Sequence, residues 1–388
     1  MRSKSASSTN PDPYRAALAI GESLAEIAPE VVFLHTTVHY EDWHEFIEGL
    51  YDGLGHRDVR VVGASGDGIH EAGRTVDVGA AALGLNSAGR VRWHVAHAKG
   101  VKAGPEGAVR AALESLNQKL SGRKPALYYF ISDFDTDASR IETVLRDEVD
   151  VPVVGGMAGD DNDRMDHCSL FCDGERLDDA VVMLAAEGDL AFRVHIGNSI
   201  RPVGRPGRVQ VADGRTVHRI DGVDATEFVA RESGKPFLRA DQGIVTLAVL
   251  NTAGPGEKRL RAVAKDRGEG EGSLTLHGGI HTDDDVQVCV TSPQDLMQEV
   301  QALAGEAAAS GFDPAAALVV TCAGRKWLVG GNIRYEVDAV FGAFGRTLPL
   351  AGFASFGEIG PLRHEGAYTR NLFHNMTFVL LLIGSGAR

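Results

Sequence analysis

Two charged residues near the carboxy terminus stand where chemistry could happen. Arg325 follows the apolar run AALVVTCAG (from Ala316), and Glu358 ends a second run, LPLAGFASFGEI (Leu348–Ile359). A guanidinium at a strand end can grip a carboxylate through two parallel hydrogen bonds, and a carboxylate can hold an ammonium group, so together they would suit an amino acid. The same two side chains could instead pair with each other and only tie two turns together. Cys322 would be a nucleophile or redox sensor if a nearby cation ionised it, and a small buried hydrophobe otherwise. His374 and Asn375, which open HNMT, could complete a polar pocket wall or cap a strand end, and His374 could be an axial ligand to haem iron. No CxxCH is present, which excludes covalent c-type haem.

Other constellations carry less. His167, Cys168 and Cys172 (DHCSLFC) lack the second ligand pair that structural zinc needs, and His277, His281 and Asp283–Asp285 read equally well as an exposed acidic turn. No metal site is expected. The glycine turns Gly63–Gly68, Gly155–Gly159 and Gly352–Gly357 do not open helices with GxGxxG spacing, and GxxxxGK[ST] is absent, so nucleotide phosphates are not implied. Their expected work is geometric: they place Asp67, Asp160 and Glu358 at equivalent points, with Gly352 and Gly357 beside the main pocket and Asp160 lining a second. Arg201, in GNSIRPVG, is expected near an inter-domain crevice, as part of a hinge or a plain turn. A cysteine hydrolase or acyltransferase built on Cys322 and His374 has no GxSxG or other established motif behind it, so no catalytic residue is assigned.

The elements that must position these groups recur three times. Each copy opens with an amphipathic helix: Tyr14–Ile27, Glu106–Leu120 and Pro293–Ala309. An apolar run follows, beginning VVFLHTT (Val31), ALYYFISD (Ala126) and AALVVTCAG (Ala316), and then a second helix at Trp43–Leu54, Ala138–Glu148 and Tyr335–Phe344. Next comes a strand bent by glycines and ending on an acid: VRVVGASGDGI, VPVVGGMAGDD and LPLAGFASFGEI. From Val31 to Gly63, Ala126 to Gly155 and Leu318 to Gly352 the spacing is 32, 29 and 34 residues, which chance rarely holds. A closing strand completes each copy, and the first two continue into a further strand. Alternation of this kind predicts an α/β fold of two domains with mixed sheets, built from a degenerate helix-strand-helix-strand-strand unit. Residues 1–13 are expected to be a disordered tail, 14–230 a domain of two copies, and 231–388 a domain holding the third, with a mobile loop at Asp266–Ser273.

Composition bounds the function. Of 388 residues, 44 % are apolar and 24 % charged, as in ordinary globular chains. The net charge of −14 repels phosphate backbones and anionic lipid, so neither nucleic acid nor membrane is an expected partner. Four scattered cysteines and no secretory h-region point to a reducing, cytoplasmic compartment.

Taken together, TCAGRKWLVGG (from Thr321), PLAGFASFGEIGP (Pro349–Pro361) and HNMT (His374–Thr377) resemble the signature of the FIST C domain. VPVVGGMAGDD and Gly197–Gly222 resemble the FIST N domain and its junction. The resemblance covers roughly residues 30 to 384 and implies a sensory module of intracellular signal transduction that binds small ligands such as amino acids. It also brings an alternative: similar proteins are described as haem-binding nitric oxide sensors that act on a histidine kinase. With almost nothing outside the two domains, the chain is expected to act alone and to signal to a separate partner.

Overall fold

The first strand of each copy is buried along its whole length: Val31–Thr36, Leu127–Ser132 and Ala316–Cys322. Near-continuous β-branched and aromatic runs of this sort need cover on both faces, which layers of sheet and helix supply. The first helices, Pro13–Ala25, Pro105–Leu120 and Pro293–Ala309, all open on a proline at the first helical turn, where its missing N–H costs nothing. In this computed structural model the described residues are 1–72, 74–162, 165–238, 241, 243–251, 259–264, 272–330, 334–345, 347–364 and 366–385.

Three six-stranded sheets share one plan. At the centre of each, the first strand runs parallel to the glycine-bearing strand and antiparallel to the closing strand: Val31–Thr36 between Arg60–Ser65 and Ala80–Asn86, Leu127–Ser132 between Val153–Met157 and Ala180–Gly188, Ala316–Cys322 between Leu350–Ser355 and Phe378–Ser385. The flanks come from other copies. The hairpin Ile69–Val76 of the first copy extends the third sheet, Leu170–Leu177 of the second extends the first, and Glu358–His374 of the third extends the second. On the opposite edge, Val91–Lys99 from the first copy joins the second sheet and Leu190–Gly197 from the second joins the third. No copy buries its apolar surface without the other two.

The first sheet receives the corresponding edge strand from the amino terminus, Arg2–Ser8, paired from Arg2↔Asn86 to Ser8↔Ala80. The expectation of a disordered tail over residues 1–13 is therefore corrected. RSKSASS has no strand-forming composition, but it meets an open edge whose backbone groups want partners, and its hydroxyls find acceptors: Ser3 on the Ala315 carbonyl, Ser5 and Ser7 on Glu71. The Met1 amino group lies 3.0 Å from Ser385 Oγ, so the chain closes on itself as a ring of three. A circularly permuted chain that joins the carboxy terminus to Met1 and opens between Lys102 and Ala103 is expected to fold with an unchanged far-ultraviolet circular dichroism spectrum and a cooperative melt. Loss of either would show that the ring does not depend on this closure alone.

Between the second and third copies lies an eight-stranded sheet from Arg201 to Val290, with the helix Ala225–Ser233 and its own core of Val209, Ile220, Phe228, Leu247 and Val288. Residue 230, the expected boundary, falls inside that helix, and the parts before and after it share the second and third sheets and donate strands to one another. The α/β class with mixed sheets holds. Of the loop expected at Asp266–Ser273, residues 266–271 lie outside the described residues.

Candidate functional site

The carboxyl end of strand Ala316–Cys322 passes directly into a short helix, Ala323–Leu328, which turns Arg325 inward to complete burial. Its Nε donates to Glu336 Oε1 at 2.7 Å and its Nη1 to Glu299 Oε2 at 3.1 Å and to the Met376 carbonyl at 3.3 Å. Burial works against the guanidinium charge, but Glu336 and Glu299 outweigh it and hold the group above its ordinary value. Glu358 is also fully buried. It accepts from Ser355 Oγ (2.6 Å), Thr377 Oγ1 (2.7 Å) and the Thr377 N–H (3.2 Å). Neither sequence reading of the pair survives: the two do not bond to each other, and neither faces open space. Arg325 takes its carboxylates from two helices, Pro293–Ala309 and Arg334–Phe344.

Burial pushes the Glu358 carboxyl up to about 7, against three hydrogen bonds that favour the charged form. A carboxyl whose folded value lies above its unfolded 4.5 binds more protons in the native state between those limits, so its stabilisation is complete below pH 4.5 and is lost as pH rises through 7. Glu358→Gln removes that dependence. Relative to the variant, the wild type is expected to lose about 3 kcal/mol between pH 5 and pH 8, read by urea denaturation at each pH. A constant difference would mean that Glu358 is ionised throughout.

The space itself lies beside these groups. A cavity of about 690 Å³ is bounded by the strand Leu190–Gly197, the helix Pro293–Ala309 and the hairpin Glu358–His374. Glu299 and His374 line it, and so does Thr377, the partner of Glu358. Arg325 and Glu358 thus sit one residue behind the wall. The rest of the lining is half apolar, with Leu303, Ile196 and Leu362, and half polar, with His195, Glu306, Arg363 and His364. Burial, then Arg363 and Arg193, hold His195 below its ordinary value, and its Nε2 has no hydrogen-bond partner.

The remaining expected residues separate clearly. Gly352 lies mid-strand, where an added Cβ would stand 2.1 Å from the Val319 carbonyl oxygen, and Gly357 packs under the Phe373 ring. Both serve close approach and do not reach the cavity, which corrects their placement beside a ligand. Asn375 accepts from the Ala262 N–H at 2.9 Å and pins the inserted sheet to the third copy. Cys322 is buried, and burial together with the charge of Glu358 pushes its thiol up, which disfavours the thiolate that nucleophilic chemistry needs. His374 donates its Nε2–H to the Gly360 carbonyl at 3.0 Å, and burial lowers its basicity. Asp160 folds its own loop, accepting from the backbone of Asn162, Asp166 and His167. Arg201 is exposed and pairs with Asp295 across the start of helix Pro293–Ala309, at the junction where a crevice residue was expected.

Glu299, Glu142 and the partners of Asp67 escaped the sequence reading. Glu299 lies three residues after Leu296 and four before Leu303, on the margin of an apolar stripe, and that margin was the available signal. Glu142 on Ala138–Glu148 is fully buried and pairs at 2.7 Å with Arg261 of the inserted sheet. Asp67 holds Lys326 Nζ at 2.8 Å and the Trp327 indole N–H, locking the first copy's glycine turn onto the third. Asp67, Asp160 and Glu358, expected at equivalent points, therefore do three different things.

The fold is thus a ring of three α/β modules with a cavity where their strands and helices meet. The FIST N domain matches residues 12–223 and the FIST C domain residues 217–361, and the chain belongs to the FIST family. FIST domains are associated with sensing in signal transduction. The uncharacterized proteins Mb0898c of Mycobacterium bovis and MT0897 of Mycobacterium tuberculosis are each 29 % identical over 245 residues, a match spanning 59 % of this chain and 60 % of theirs. Two solved structures, T. maritima PurL complexed with ATP and PurLQS from Thermotoga maritima, align over 99 % of this chain and 71 % and 72 % of theirs. They do so at 13 % identity with TM-scores of 0.21 and 0.20, which carry no argument. No helix among the described residues is long and apolar enough to cross a membrane.

Proposed function

We propose that the protein is a cytoplasmic sensor that takes a small polar ligand into the 690 Å³ cavity and signals to a separate protein, a histidine kinase being the first to try. The observation that carries this reading is the cavity's position. One wall, Val194–Asn198, belongs to the FIST N match, and the helix wall, Glu299–Ser310, to the FIST C match. A ligand that touches both favours one arrangement of them over another, and only such a difference in affinity can transmit a signal. Acidic groups on the helix opposite Arg363 and His364 on the hairpin suit a zwitterion, of which an amino acid is the simplest case. Calorimetry against a metabolite panel is expected to find a binder tighter than millimolar. A panel that binds no better than that would overturn the reading.

Haem is the weaker reading. His374 Nε2 is engaged by the Gly360 carbonyl, and a cavity lined by Glu299, Glu306 and Arg363 offers a porphyrin charged walls. The observation left in its favour is His195, whose unpartnered Nε2 belongs to the same cavity. A visible spectrum after haem reconstitution separates the two readings: without a Soret band, haem is discarded.

A further inference from the structure

Counting charges around Arg325 gives an imbalance. Among the described residues its guanidinium is the cation in contact with Glu299 and Glu336, and both it and Glu336 are fully buried while Glu299 is 13 % exposed. One positive charge faces two carboxylates in a place that solvent hardly reaches. A carboxylate left without a counter-charge in such a place is costly, and burial indeed pushes the Glu299 carboxyl above its ordinary range.

Of the three, Glu299 alone lines the cavity. Its Oε2 serves Arg325, while its Oε1 has no hydrogen-bond partner of good geometry; the nearby Ser199 hydroxyl, 3.0 Å from Thr291 Oγ1, favours the charged form without offsetting burial. That oxygen lies against Gly197, where a Cβ would come within 2.2 Å of it. The glycine leaves the room that the carboxylate occupies between cavity and strand. The geometry points to Glu299 as the ligand-reading residue, and to a compact positive group, an ammonium or guanidinium, as what it reads. Such a group beside Oε1 supplies the missing charge, and the apolar flank of Leu303 and Ile196 accommodates the carbon chain behind it.

This reverses the roles read from the sequence, where Arg325 was to hold an anionic end. Arg325 is shielded from the cavity by Glu299 and instead passes the event on. Through it, Glu299 on helix Pro293–Ala309 is tied to Glu336 on helix Arg334–Phe344, so a cation that draws Glu299 away loosens the tie between two helices. That tie is the contact through which ligand binding would be felt beyond the cavity.

The inference rests on the ligand-binding reading above, and the test separates the two. Titration calorimetry compares 1,4-diaminobutane, agmatine and ethanolamine with the uncharged 1,4-butanediol and ethylene glycol, on the wild type, Glu299→Gln and Glu306→Gln. The amines are expected to bind and the diols not, with at least tenfold weaker amine binding in Glu299→Gln and less than threefold change in Glu306→Gln. Glutamine keeps an oxygen for Arg325 and leaves that arginine paired one to one with Glu336, so the variant is expected to fold. A panel ligand without any cationic group that binds Glu299→Gln as tightly as wild type would overturn the inference while leaving the sensor reading intact. Amine binding lost in Glu306→Gln but kept in Glu299→Gln would overturn it too, and failure of every amine together with the whole metabolite panel would overturn both.

Discussion

Replacing Arg325 by leucine is expected to destabilise the protein by about 3–5 kcal/mol, because the mutation strands two carboxylates that were desolvated on the guanidinium's account. The magnitude follows from burial. An exposed ion pair contributes less than about 1 kcal/mol, since water replaces either partner. Here Arg325 and Glu336 are both fully buried, their contact is 2.7 Å, and the Met376 carbonyl and the Phe378 ring, 6.0 Å from the guanidinium carbon, complete the enclosure. Leucine matches some of the volume and none of the hydrogen bonds. The same logic predicts rescue: adding Glu299→Gln and Glu336→Gln to Arg325→Leu removes the stranded charges and is expected to recover more than half of the loss. Arg325→Lys should fall between, because one ammonium cannot span two helices and a carbonyl in the fork geometry that arginine provides. Urea denaturation of the four proteins measures all of this. A loss below about 1 kcal/mol for Arg325→Leu would show that the pair behaves as a solvated one.

Much of the local structure is legible in the sequence. The six helices of the three copies begin and end within two residues of their expected bounds, because amphipathic periodicity and breakers are local signals. What could not be read was which sheet each strand joins. Their patterns mark Val91–Lys99 and Leu190–Gly197 as strands that continue their copies, yet each pairs in the next copy's sheet, and nothing in an alternating pattern names the partner. Arg2–Ser8 failed for the opposite reason. Its composition argues against a strand, and the open edge of Ala80–Asn86 overrides composition. For the site, the sequence located Arg325, Glu358 and His374 within one residue of a real cavity, since strand ends and glycines mark such places. It misjudged what they face, because Glu299 and Glu336 lie 26 and 11 residues from Arg325 and only the packing of two helices brings them together. Cys322 shows the same limit: the residue type suggests chemistry, and only the fold shows that burial raises its thiol pKa.

The glycine turns, whose spacing first exposed the repeat, are expected to tolerate no side chain at their leading position. Gly63, Gly155 and Gly352 stand in register with Leu34, Phe130 and Val319 on the adjacent parallel strands. An added Cβ would lie 1.6, 1.8 and 2.1 Å from those residues' carbonyl oxygens, which are backbone atoms already committed to the sheet. Relief therefore requires moving a central strand of a three-sheet core, and each glycine-to-alanine change is expected to cost about 3 kcal/mol or more. Gly155 and Gly63 should be the worst, having the shortest approaches. The chain contains its own control. Gly107, Gly305 and Gly342 sit in helices with nothing within 4 Å of an added Cβ, and there the same substitution should stabilise by about 0.5–1 kcal/mol through helix propensity. Opposite signs from one chemical change, measured by thermal and urea denaturation, would tie the repeated glycines to strand approach and not to flexibility. If Gly63→Ala and Gly155→Ala also proved neutral or stabilising, the three turns would owe their glycines to something other than the contact of paired strands.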